Sequence, residues 1–264
     1  MTIGASTRRL HRLFDDDGRS FMLALDAHSF SPAPQNVDRA LSLVPQMAPL
    51  GLDAALVPYG IASRRPELLD GVGLVLRCDA SRNVLDPSVP GTRMVNDAGD
   101  AVRVGADAVV AMTFLGAADD GQDAVQVLAA QAHAQGLPVI VESLPYSFSG
   151  KGTPGLAPET VSVAARLAEE LGADLVKTRL TGTDDDKAIF DAVTVPVVAL
   201  GGPKTGLKEY LEYLSRCLDL GASGVAVGRN IVDDPEPLAK VAAMAGIIHD
   251  GKSVTDALAV YEAR

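Results

Sequence analysis

Three observations predict that this chain folds as a single (β/α)8 barrel, the α/β architecture in which a parallel sheet closes on itself. Eight short apolar runs recur along 264 residues, almost all followed by a segment of helical periodicity. The runs are continuous rather than alternating, as in strands buried on both faces. The length also suits one such barrel, for which about 250 residues is typical.

In chain order, strands are expected at 21–25, 54–57, 73–76, 108–112, 139–141, 175–178, 197–200 and 224–227. Helices are expected at 37–50, 95–104, 123–135, 158–171, 185–192, 207–220, 235–248 and 254–263, while 63–69 reads as a short, weakly patterned connection. Four helices end in related junctions, Gly51-Leu52-Asp53, Gly105-Ala106-Asp107, Gly172-Ala173-Asp174 and Gly221-Ala222-Ser223. Glycine there is the left-handed terminator that turns a helix into the next strand. An open doubly wound sheet is the competing fold, but no strand is followed by a G-x-G-x-x-G fingerprint. No Pro/Gly/Ser-rich tract divides the chain, so residues 1–264 are expected to form one domain, with 1–19 an N-terminal arm or helix.

Composition narrows the function classes. A hydrophobic share of 47% with 22% charged residues fits a globular protein. A formal charge of −11 argues against nucleic acid as a partner, because that needs a clustered basic surface. Any anion site must therefore be local. Cys78 and Cys217 do not suggest a disulfide framework, and no signal peptide or apolar run of membrane-spanning length is evident. A cytoplasmic protein with no membrane contact is expected.

One residue is out of place in the strand pattern. Lys177 interrupts the run 175–178, and a lysine removed from water is either paired or pushed toward the neutral amine. Such an amine attacks carbonyl carbon, which is Schiff-base chemistry. A strand-end lysine bridged to a nearby acid is the structural alternative. Arg179, two residues on, is expected to share the face of Lys177 and repel its charge.

Barrels of this kind gather their chemistry at the carboxyl ends of the strands. Strand one delivers Asp26 and then His28; strand three, Arg77 and Asp79; strand five, Glu142 with Tyr146 beyond. Strand seven opens into Gly201-Gly202-Pro203-Lys204 and strand eight into Gly228-Arg229-Asn230. These two glycine loops are expected to leave backbone N–H groups free for a phosphate, with Lys204 and Arg229 adding charge. Asp26 would orient a substrate hydroxyl, pair with Lys177, or cap its own turn. Tyr146 is a candidate proton donor or acceptor. His11, His133 and His249 lack zinc-ligand spacing, and the runs Asp15–Asp16–Asp17 and 184–186 read as solvated charge.

Taken together, Leu25-Asp26, Tyr146, the segment 173–178, Gly201-Gly202-Pro203-Lys204-Thr205 and the segment 221–230 resemble the archaeal-type class I fructose-bisphosphate aldolases. The wider family includes aminodideoxyheptulosonate synthases and an autoinducer-processing thiolase, and the resemblance spans nearly the whole chain. It implies a TIM-barrel lyase with Lys177 as Schiff-base lysine, Tyr146 as general acid/base and Asp26 as its carboxylate partner. The glycine loops and Arg229 would hold the phosphate of a dihydroxyacetone-phosphate-like donor. No cofactor and no metal are implied, since the lysine imine is itself the electron sink, and relatives point to a homo-oligomer.

Two departures bear on the substrate. The family commonly has Asp-His-Gly where this chain has Asp26-Ala27-His28-Ser29, and Tyr-Pro-Arg-Gly where it has Tyr146-Ser147-Phe148-Ser149-Gly150-Lys151. The absent arginine leaves a second phosphate open, with Lys151 as a partial substitute and His28 as an alternative proton carrier. Three readings follow: an aldolase acting on a phosphorylated ketose, a synthase or thiolase using the same lysine on another carbonyl, and a noncatalytic sugar-phosphate binder.

Overall fold

A computed structural model describes residues 8–26, 34–80, 92–116, 121–145 and 157–263. Eight parallel strands close into a barrel: β1 Ser20–Ala24, β2 Ala54–Pro58, β3 Gly73–Arg77, β4 Ala108–Leu115, β5 Val139–Pro145, β6 Leu175–Thr178, β7 Val197–Leu200 and β8 Gly224–Val227. Each pairs with its neighbours in sequence, and β8 returns to β1 through Ser20 opposite Gly224. A (β/α)8 barrel is therefore the fold. Strands β4 and β5 run further than the sequence pattern marks, because their ladder continues through Met112–Glu142 and Thr113–Ser143 to Leu115–Pro145. Polar Glu142, Thr113 and Ser143 break the apolar run there without breaking the pairing.

The helices are α1 Pro34–Met47, α2 Tyr59–Arg64, α3 Ala98–Arg103, α4 Gln122–Ala134, α5 Pro158–Glu170, α6 Lys187–Asp191, α7 Leu207–Leu220, α8 Arg229–Val232, α9 Pro237–Ile248 and α10 Val254–Glu262. A short helix, α2, follows β2 directly and ends inside the weakly patterned connection 63–69, which itself holds a 3-10 turn at Pro66–Leu68. A two-residue hairpin, Asp79–Ala80 with Arg93–Met94, lies beyond β3.

The glycine junctions behave as expected, with positive φ at Gly51, Gly105, Gly172 and Gly221. Their aspartates do more than follow a turn. Asp53 accepts the Phe21 N–H at 2.6 Å and donates its own N–H to the Phe21 carbonyl; Asp107 does the same to Leu74, and Asp174 to Val139. Each aspartate thus clamps the start of an even-numbered strand to the preceding odd-numbered one. At the fourth junction the Ser223 N–H reaches the Val197 carbonyl.

Two apolar layers hold the barrel. Outward strand residues such as Phe21, Leu23, Val109, Val176 and Val225 pack under the helices. Inward residues Met22, Leu56, Val75, Val110, Ile140, Leu175, Val198 and Ala226 fill the interior. The floor is closed by a 3-10 turn, Leu10–Leu13, whose Leu10 and Leu13 join that inner cluster with Phe14. Both cysteines are buried and free.

Candidate active site

Side chains alternate along a strand, so the residue two beyond an inward apolar one also faces inward. Val75 is followed by Arg77, Ile140 by Glu142 and Leu175 by Lys177. The same spacing that fills the core therefore lifts three charged side chains to the mouth end of the barrel. Lys177 is 3% exposed, Glu142 4% and Arg77 7%.

These groups form one network. Glu142 Oε2 accepts from Lys177 Nζ at 2.9 Å and from Arg77 Nη1 at 2.7 Å. Arg77 also reaches Asp26 Oδ2 at 3.2 Å through Nη1 and Asp79 Oδ1 at 2.8 Å through Nε. Three carboxylates thus surround one guanidinium, and one of the three also holds the lysine. Burial works to raise the Glu142 carboxyl, but the charges and hydrogen bonds of Lys177 and Arg77 outweigh it and hold Glu142 below the ordinary range. Burial works to lower Arg77, and Asp79, Glu142 and Asp26 overcome it to raise the guanidinium further. Asp79 differs: burial is the largest influence on it, and its pKa is pushed up to about 6.

Of the candidates, Lys177, Glu142 and Asp26 come together here. Asp26 is half-buried and bonded to Arg77 rather than to Lys177, whose partner is Glu142. Arg179 does not share the lysine's setting, because β6 ends at Thr178 and Arg179 is exposed. The ion pair that Lys177 makes among the described residues is with Glu142. Tyr146, His28 and Lys151 lie outside the described residues.

The first glycine loop differs from expectation. The Gly201 N–H is bonded to the Ala226 carbonyl at 2.9 Å, and the Gly202 N–H turns back to the Leu200 carbonyl. Neither is free for a ligand. Their φ values of 54° and 73° make the turn, and a Cβ on Gly202 would lie 2.6 Å from the Tyr213 ring. Lys204 is exposed and 3.5 Å from Asp233. Gly228 precedes the short helix α8, with Arg229 exposed at its first position. Asn230 links the two loops by donating to the Gly201 carbonyl at 2.9 Å and the Pro203 carbonyl at 3.1 Å. Asp186, read as solvated, is buried instead: it accepts from the N–H groups of Thr181 and Gly182 and so shapes the loop after β6.

Arg77 and Asp79 stand at the end of the third apolar run, where a charge follows the strand instead of interrupting it, so the signal that marks Lys177 does not mark them.

Residues 32–234 match the model of the DeoC/LacD family aldolases. The chain is 32% identical to the 2-amino-3,7-dideoxy-D-threo-hept-6-ulosonate synthase of Halobacterium salinarum, over 98% of this chain and 97% of that protein. It is also 32% identical to the class 1 fructose-bisphosphate aldolase of Thermoproteus tenax, over 96% of this chain and 98% of the relative. A solved archaeal fructose-1,6-bisphosphate aldolase, with its catalytic lysine covalently bound to the carbinolamine intermediate of the substrate, superposes with a TM-score of 0.81. That structure is 28% identical, and the match covers 91% of this chain and 98% of the other. With a buried lysine at the mouth of a closed eight-stranded barrel and a family match over most of its length, this chain belongs to the DeoC/LacD family of aldolases.

Proposed function

We propose that the protein is a class I, metal-independent aldolase that cleaves or forms a C–C bond in a phosphorylated ketose through an imine at Lys177. The observation that carries this reading is the Lys177–Glu142 contact at 2.9 Å, buried at the mouth of the barrel. The neutral amine of Lys177 attacks the ketone carbon, and loss of water gives the iminium. That cation draws electrons from the adjacent C–C bond, so the chemistry calls for no metal or other cofactor. Glu142, held ionised by Arg77, faces the developing positive charge on the imine nitrogen.

Tyr146 is assigned the proton transfer and Asp26 the orientation of its partner groups. The phosphate is assigned to Arg229 and the backbone at Gly228, with Lys204 at the rim, while Gly201 and Gly202 shape the turn. The acidic chain would thus meet its anionic substrate at one local site. Among the described residues, no helix is long and apolar enough to cross a membrane. We take the whole chain as one barrel domain that works as a cytoplasmic homo-oligomer.

Equal identity to a 2-amino-3,7-dideoxy-D-threo-hept-6-ulosonate synthase supports a second reading, in which the same lysine serves a related condensation. Borohydride reduction in the presence of dihydroxyacetone phosphate, followed by peptide mass mapping, tests the shared step. An adduct on Lys177 is expected. Phosphate binding with no adduct would identify a noncatalytic sugar-phosphate binder instead. Assay of candidate sugar phosphates with a chelator present then separates the two enzymatic readings.

A further inference from the structure

Asp79 stands apart from the other carboxylates of the mouth. Its Oδ1 takes both available donors, Arg77 Nε at 2.8 Å and the Met112 N–H at 3.1 Å. Its Oδ2 is buried and has no hydrogen-bond partner among the described residues. An ionised carboxylate spreads its charge over both oxygens, so sealing one away unpaired is costly, and more so than for a neutral acid. The surroundings add to that cost. Asp26 and Glu142 compete for the same guanidinium, and with all groups ionised three negative charges face, among the described residues, Arg77 and Lys177.

We propose that Asp79 is a positioning residue that takes up and releases a proton on Oδ2 as the charge of the mouth changes, keeping Glu142 and Arg77 ionised beside Lys177. The proposal rests on the imine reading for its role in turnover, but not for the proton itself. When Lys177 gives up its proton to become a nucleophile, the five groups lose one positive charge. A phosphate-bearing substrate brings further negative charge. One proton from solvent, bound at Asp79 Oδ2, offsets one of these charges and leaves the Glu142–Arg77 pair intact.

The facing groups act in both directions. Arg77 from β3 opposes protonation, as does the Met112 N–H from β4. Glu142 from β5 and Asp26 beyond β1 favour it, and burial favours it most. The neighbouring Cys78 is held neutral, its thiol pushed up to about 12 chiefly by burial, so it adds no charge. The balance places the transition within the range where enzymes work.

Carboxyl-labelled aspartate allows the proton to be followed by carbon NMR in the whole protein, without any ligand. One resonance, absent from Asp79→Asn, is expected to titrate near pH 6, above the usual aspartate range. Should that variant fail to fold, Asp79→Ser serves for assignment, and Asp53→Asn removes the other aspartate that burial raises. If the Asp79 resonance titrates with the ordinary aspartates, the proposal is overturned.

A second measurement follows borohydride trapping at Lys177 with dihydroxyacetone phosphate across about pH 5 to 8. The wild-type yield is expected to inflect with the Asp79 resonance, whereas Asp79→Asn, a fixed mimic of the neutral acid, should still form adduct without that inflection. An inflection unchanged in the variant would assign it elsewhere and remove Asp79 from the reaction. Failure of both proteins to form adduct would sink the imine reading and leave the titration to decide on the proton.

Discussion

The two ends of the barrel carry clusters built from similar residues that do different things. At the mouth, Lys177, Arg77, Glu142, Asp79 and Asp26 are packed onto the apolar interior, and one glutamate oxygen serves two cations. At the floor, His249 bridges Asp17 at 3.0 Å and Asp53 at 3.4 Å, and also contacts the Gly51 carbonyl at 3.1 Å. Asp53 in turn clamps β1 to β2, so the floor cluster ties the N-terminal turn and the end of α9 to the sheet. Its acids are partly exposed. Ion pairs at the floor join segments; those at the mouth hold one amine in place against an interior that would otherwise be apolar. The same contrast between working and structural charge is expected in barrels generally.

Substitutions can break this contrast, beginning where the effect is greatest. Lys177→Met should abolish the borohydride adduct and reduce C–C cleavage to background, while His249→Ala should leave both near wild type. A floor variant that lost the adduct would show that the two clusters are not separable. Tyr146→Phe should slow turnover by about 10²–10⁴-fold, the range for a positioned acid/base, with imine formation retained. Glu142→Gln removes the carboxylate shared by two buried cations and should lower unfolding stability by about 3 kcal/mol, measured in urea. It should also weaken adduct formation. His249→Ala is expected to cost about 2 kcal/mol below neutral pH, with no change in adduct yield.

The floor has its own pH signature. Burial works to lower His249, but hydrogen bonds and charges from Asp53 and Asp17 outweigh it and push its pKa up to about 9. A histidine whose folded pKa is raised gives stability that is complete below its unfolded value near 6.5 and fades as pH rises through the folded value. Thermal melts from neutral pH toward pH 10 should therefore show a loss in the wild type that His249→Ala lacks. Equal loss in both proteins would place the alkaline sensitivity elsewhere.

Much of the fold was legible because continuous apolar runs and glycine junctions are local signals. Part of the site was legible for the same reason, since Lys177 stands out only against the apolar strand around it. Lys240 makes the point by contrast. At 4% exposure it is as buried as Lys177, pairs with Asp234 at 3.4 Å and lies 5.2 Å from the Tyr210 ring centre. It sits in helix α9, where one lysine among apolar residues reads as a polar face, and nothing in the sequence marks it. Partnership was not legible at all. That Asp26 joins Arg77, that Glu142 bridges Arg77 and Lys177, and that the Gly201 N–H is already used by Ala226 depend on register between distant strands. Asp186 differs from its sequence reading for a local reason: three acids at a helix start read as solvated charge, yet the third turns back to accept from the Thr181 and Gly182 N–H groups.

The aspartate clamps have a consequence for how the ring is assembled. They join residues 32, 33 and 35 positions apart, each within one consecutive pair of strands. Alignment of β1 with β2, β3 with β4 and β5 with β6 is thus specified inside segments that leave the ribosome one after another. Each of these two-strand segments carries its own registration mark, whereas the seam of β8 against β1 joins residues some two hundred positions apart, Ser20 opposite Gly224.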